Sequence, residues 1–253
     1  MTRLSEAAFL VLTERLGIQV PTAIRVLPTG FHRDERRAEV EGAVAELDRL
    51  GLLNPQGDID DRLAGRLRIL DQADHIVDVV ARVDSPANAV IAANGRRAVL
   101  IIHSGQQMAV RQARPVGLGE QAAQLMPGVP AGYGRSVSVP TETLQKAAAE
   151  AGEDIRSLET ALQRHGVARD IAHMIAVMNE GPTIQMAQFG VTTKDRTGRW
   201  RRGDRVIGWW RNESGGYLTE EHFSSSGESW TSIAPTDLRR LATQVDRMLT
   251  EAD

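Results

Sequence analysis

The sequence predicts an α+β protein arranged as a quasi-two-fold pseudo-repeat, each half supplying helices and a four-stranded antiparallel meander. Three observations carry that expectation. Hydrophobic periodicity switches from helical to strand-like twice along the 253 residues. Turn-forming pairs such as Asn94-Gly95 and Ser104-Gly105 separate the strand-like runs at hairpin spacing. A stretch rich in Pro and Gly, from Pro127 to Gly134, divides the chain near its middle.

In the first half, Val40, Val44 and Leu47 recur at helical spacing between Asp34 and Leu50, and Gly51 supplies a left-handed stop. Asp58 or Asp60 can cap a second helix with Leu63, Leu67 and Leu70 on one stripe. Strands are expected at Ile76 to Val83, Ala89 to Ala93, Ala98 to His103 and Met108 to Arg114, the first two separated by Ser85-Pro86. Gly117 to Met126 adds a short helix. In the second half, helices are expected at Thr141 to Ala151, Asp154 to His165 and Arg169 to Asn179. Strands follow at Thr183 to Thr192, Arg205 to Arg211, Tyr217 to Phe223 and Ser229 to Ile233. Pro235-Thr236 opens a last helix carrying Leu238, Leu241, Val245 and Met248. The whole reads as a single domain, with halves at about 1–127 and 135–253 related by element order and not by residue identity. The two meanders then join edge to edge or pack together.

Composition narrows the function. A chain of this length buries roughly three quarters of its unfolded surface and needs no staple. It has no cysteine, which excludes disulfides, thiolate metal sites and thiol chemistry, and fits a reducing compartment. Glu6 and Glu14 flank the first apolar run, which argues against a secretory signal, and no segment approaches the roughly 20 apolar residues of a membrane span. A cytoplasmic protein is expected. With 30 basic against 33 acidic residues, the chain offers nucleic acid or anionic lipid no global attraction.

Catalytic motifs are absent. There is no phosphate-cradling Gly-rich loop, no nucleophile elbow and no His-Glu-x-x-His, so no enzyme, metal or cofactor is expected. The six histidines are scattered, with His165 and His173 on separate helices. Glu220 and His222 share a strand face, where they read as solvated residues, while Glu221 points the other way. Two anomalies remain. Lys194 to Arg205 holds six basic residues against Asp195 and Asp204, with Trp200 among them. It reads as a long, flexible, solvated hairpin loop, as a contact for an acidic partner protein, or as a nucleic-acid or lipid site, the nucleic-acid reading giving an alternative function as a nucleic-acid-binding regulator. The pair Trp209-Trp210 sends its indoles to opposite faces of a strand, which suits a sheet covered on both sides or one awaiting a partner.

Several segments resemble the EspG family of type VII (ESX) secretion chaperones. Ala45 to Leu53 followed by Gly57-Asp58-Ile59-Asp60 is similar to its amino-terminal half, and Gly181-Pro182-Thr183, Gly215-Gly216-Tyr217 and Gly227 to Pro235 are similar to its carboxy-terminal half. The resemblance covers nearly the whole chain through diffuse motifs. It implies an actinobacterial, cytosolic, non-enzymatic chaperone that binds a helical PE–PPE-like pair, shields its apolar tip and delivers it to the secretion machinery. It leaves a homodimer open. Carried over, the family's partner surface implies the strand Thr183 to Thr192, Trp209, Trp210, Tyr217 and Glu221 on the later strands, and the exposed face of Thr236 to Met248 with Arg239, Arg240 and Arg247. The sequence departs from members with an extended loop between the second and third strands of the first meander, because Asn94-Gly95-Arg96 reads as a tight turn.

Overall fold

Ser5 turns its hydroxyl onto the Ala8 amide at 3.1 Å, and that cap opens a helix the periodicity did not announce. The computed structural model describes residues 1–30, 32–83, 86–152 and 154–252. Strand β1 (Thr2–Ser5) leads into α1 (Glu6–Leu16), and a 3₁₀ turn follows at Thr22–Ile24. The main-chain amide and hydroxyl of Ser5 both donate to Glu46, at 2.8 and 2.6 Å, and so tie this terminus to α2 (Arg33–Arg49). As expected, Gly51 lies just past α2 at φ 66°.

The helix expected through Leu70 is two helices, α3 (Asp61–Leu67) and α4 (Ile69–Gln72), with Asp60 capping the first through the Leu63 amide at 3.0 Å. Then come β2 (His75–Arg82), β3 (Pro86–Asn94), β4 (Arg97–Ser104), β5 (Gln107–Ala113) and α5 (Leu118–Ala123). Of the expected Ser85-Pro86 turn, Ser85 lies outside the described residues. After the Pro/Gly stretch, β6 (Val137–Pro140) precedes α6 (Thr141–Ala151), α7 (Ile155–Arg164) and α8 (Arg169–Met178). The chain closes with β7 (Gln185–Lys194), β8 (Trp200–Asn212), β9 (Gly215–Phe223), β10 (Ser229–Pro235) and α9 (Leu238–Ala252).

Two four-stranded meanders were expected; the structure has one ten-stranded sheet in the order β1-β5-β4-β3-β2-β7-β8-β9-β10-β6. The seam is β2 against β7, antiparallel from His75 opposite Thr193 to Arg82 opposite Met186. The two added strands, β1 and β6, span four residues each and lie at the outer edges, too short to show a period of two.

Alternation sends side chains to two differently covered faces. On one, α5 and α9 cap a core shared by both halves, in which Val77, Val79 and Ile91 meet Phe189, Trp209, Leu241 and Val245. On the other, α1 to α4 cover β3, β4 and β5 through Leu12, Leu47, Val90 and Ile101, while α6 to α8 cover β6, β9 and β10 through Leu162, Ile175, Tyr217 and Ile233. Register puts these two clusters on the same face. Val80 is opposite Gln188, Gln188 opposite Gly208, and Gly208 opposite Thr219.

Candidate functional site

The helices on that second face stop short of one another. Between them the middle strands β2, β7 and β8 are open, and Val80, Met186 and Val206 keep 43%, 47% and 41% of their surface. Monomers seldom leave apolar side chains clustered on bare sheet without a use for them. The opening is a trough along the strands with two basins that share Val80. The wider one holds about 750 Å³ and is walled by Leu144, Leu158 and Ile175 of the helices and by Met186 and Trp210 of the sheet. The narrower one holds about 550 Å³ and lies between Gln19 to Ala23, Leu70, Asp78, Trp200 and Arg202.

The two basins differ in chemistry. In the wider basin Trp210 stacks on Tyr217, with ring centres 5.3 Å apart and planes at 21°. The Tyr217 hydroxyl donates to the Tyr133 carbonyl at 3.2 Å, and burial pushes its phenol above the ordinary value. In the narrower basin Arg202 reaches over β7 to clamp Asp78 of β2 with both guanidinium nitrogens, Nη2 to Oδ2 at 3.0 Å. Gly190, between them in the sheet, makes the crossing feasible. Lys194 lies 4.7 Å over the Trp200 ring, and its ammonium donates to the Asp71 carbonyl at 3.3 Å.

The residues singled out from sequence divide between the layers. Trp210, Tyr217 and Glu221 share the trough face by register, though Tyr217 is fully buried beneath Trp210. Glu221 is exposed and accepts from the Ser229 hydroxyl. Trp209 points the opposite way, 1% exposed in the shared core, so a partner docking on the folded chain does not reach it. Arg239, Arg240 and Arg247 are exposed on α9, across the sheet from the trough. Arg240 donates to the Pro235 carbonyl at 3.1 Å and Arg247 to Glu251 at 2.8 Å. Sequence reasoning missed Val80 and the Asp78–Arg202 clamp, and took in Met186 only as part of the strand Thr183 to Thr192. Their signal was the second alternation register of β2 and β7, where Asp78, Val80 and Arg82 face Met186, Gln188 and Gly190.

The basic segment corrects another expectation. It is not a long flexible loop, because β7 runs to Lys194 and β8 begins at Trp200. Asp195 closes the turn, its carboxylate accepting from the Thr197 amide and hydroxyl at 2.8 and 2.6 Å and from the Arg199 amide at 3.1 Å. Two of its arginines are engaged elsewhere, Arg202 with Asp78 and Arg205 with Glu220 and Glu251. Glu220 is thereby an ion-pair partner and not a free acid. Among the described residues no group of three or more His, Cys, Asp or Glu side chains is placed to hold a metal ion. No helix among them is long and apolar enough to cross a membrane.

A model of the EspG family matches residues 5–247. Among solved structures, the type VII secretion system chaperone EspG5 of Mycobacterium tuberculosis, determined in complex with a PE25-PPE41 dimer, superposes with a TM-score of 0.77. The likeness covers 99% of this chain and 96% of that one at 14% sequence identity, and is therefore one of fold. No curated protein sequence matches the chain.

Proposed function

The chain belongs to the EspG family, and from that membership we propose that it is a non-enzymatic, cytosolic chaperone of a type VII secretion system. It holds the apolar tip of a helical PE–PPE-like pair in the trough and hands the pair to the secretion machinery. The observation that carries this reading is the bare centre of the sheet, where Val80, Met186 and Val206 are exposed between two helical walls. A helical tip needs a preformed apolar channel of this kind, with an aromatic anchor such as Trp210 and a polar rim. In the same reading the chain is one working unit of two halves, about 1–127 and 135–253, since the trough draws its floor from both. The likeness in fold to EspG5, solved in complex with a PE25-PPE41 dimer, supports the partner class.

The test is calorimetric titration of the purified chain with a PE–PPE pair from its native host. Val80→Glu and Met186→Glu alter half-exposed side chains, so their melting temperatures should stay near wild type while affinity falls about tenfold or more. Arg239→Glu and Arg247→Glu, on the opposite layer, are the comparison. Unchanged affinity in both trough variants sinks the trough assignment. Loss confined to the α9 variants moves the docking surface to that helix.

A further inference from the structure

The tip of the β7–β8 hairpin has a chemistry that the trough does not use. Arg196, Arg199 and Arg201 are exposed, and none of them makes an ion pair among the described residues. Asp195 is within Coulombic reach of Arg201. Its carboxylate is held below the ordinary value, first by the Thr197 hydroxyl and then by the Arg199 amide, and is filled by the turn's own donors. The backbone of the tip is also ordered by hydrogen bonds. Asp195 and Arg199 pair through the main chain at 2.9 Å, Gly198 takes the left-handed conformation at φ 78°, and Trp200 is braced by Lys194. Three cations are therefore presented on an ordered backbone, and the ordering entropy left to lose on binding is that of their side chains.

The rest of the molecule sharpens the contrast. With the six basic and two acidic residues from Lys194 to Arg205 set apart, the chain's 30 basic and 33 acidic residues leave 24 against 31. Three phosphate contacts are too few for a stable nucleic-acid footprint, and the charge of the remaining chain is net negative. A short acidic peptide ends where the positive patch ends. The placement also separates this surface from the trough. Arg201 is opposite Thr193, whose hydroxyl donates to the α9 carbonyl of Ala252, so Arg201 faces the layer away from the trough. A ligand held by Arg201 lies on that layer, whereas Trp200 beside it walls the narrower basin of the trough.

We propose that this tip is a second docking site, for an acidic segment of a protein other than the trough's occupant. Since a chaperone must be recognised while loaded, the inference builds on the chaperone reading but has its own measurement. A fluorescent peptide of about ten glutamates, titrated with the full-length chain and followed by anisotropy, should bind more tightly than an oligothymidylate of similar length. Binding should weaken as ionic strength rises from about 0.05 to about 0.5 M. The triple variant Arg196→Glu, Arg199→Glu, Arg201→Glu should lose about tenfold or more in peptide affinity with an unchanged melting temperature and unchanged binding of the PE–PPE pair. Met186→Glu should bind the peptide like wild type, so a failed trough assignment leaves this result intact. No peptide binding, tighter binding of the oligonucleotide, or loss of the PE–PPE pair in the triple variant would each overturn the second site.

Discussion

A Cβ built on Gly190 would lie 2.1 Å from Nη2 of Arg202, so this one position governs whether a guanidinium can cross from β8 to Asp78 on β2. Asp78 is 8% exposed, and an unpaired carboxylate there is costly. Gly190→Ala should displace Arg202 and destabilise the fold by about 1–2 kcal/mol, a figure reduced because the Arg202 side chain is 53% exposed. Arg202→Met should cost a similar amount, and the double variant no more than the worse single one, by urea denaturation. Additive losses would mean that Gly190 acts through something other than Arg202. Asp195 makes a separate forecast in pH. Its folded value is depressed, so its contribution is fully present above the ordinary carboxylate range and is lost as pH falls through that folded value. The amide resonances of Thr197 and Arg199 should shift together on acidification, and Asp195→Asn should flatten that response.

At the scale of elements, α5 packs directly against α9. A Cβ on Gly119 would meet the Ala242 carbonyl at 2.4 Å, and the Gly119 amide donates to Asp246 at 2.8 Å. Gly119→Ala should therefore destabilise by about 1–3 kcal/mol despite the helix preference for Ala, because the obstacle is backbone. Gly128→Ala, whose Cβ would meet Leu238 at an ordinary 3.9 Å, is the control and should be nearly neutral in thermal melts. Leu241→Ala, beneath α9 and fully buried, should cost about 2–5 kcal/mol.

Across the whole molecule, the seam between β2 and β7 and the core beneath α9 make the halves interdependent. Trp209 of the second half is buried in one cluster with Val77 and Ile91 of the first. Thermal unfolding followed by far-ultraviolet circular dichroism and by tryptophan fluorescence should give coincident transitions. A fragment ending at residue 127 should fail to fold cooperatively, since it lacks α9 and leaves the β2 edge bare. Two separated transitions would show that the seam is weak.

The sequence alone determined the fold class and most elements, because periods of 3.6 and 2 and turn residues such as Gly51 and Asn94-Gly95 are local signals. It also separated Trp209 from Trp210, because alternation is local too. It missed β1 and β6, whose four residues carry no measurable period, and it read Lys194 to Arg205 as loop because a run of charged residues shows no apolar alternation, although its pairing is a local hairpin with Lys194 opposite Trp200 and Thr192 opposite Arg202. The trough was beyond it because its parts are distant in the chain. Which face of β2 stays bare depends on how far α4 and α8 reach across a sheet assembled from both halves, and on a crossing from Arg202 to Asp78 that spans 124 positions. Only tertiary packing brings such residues together, so only the folded chain decides where a partner can lie.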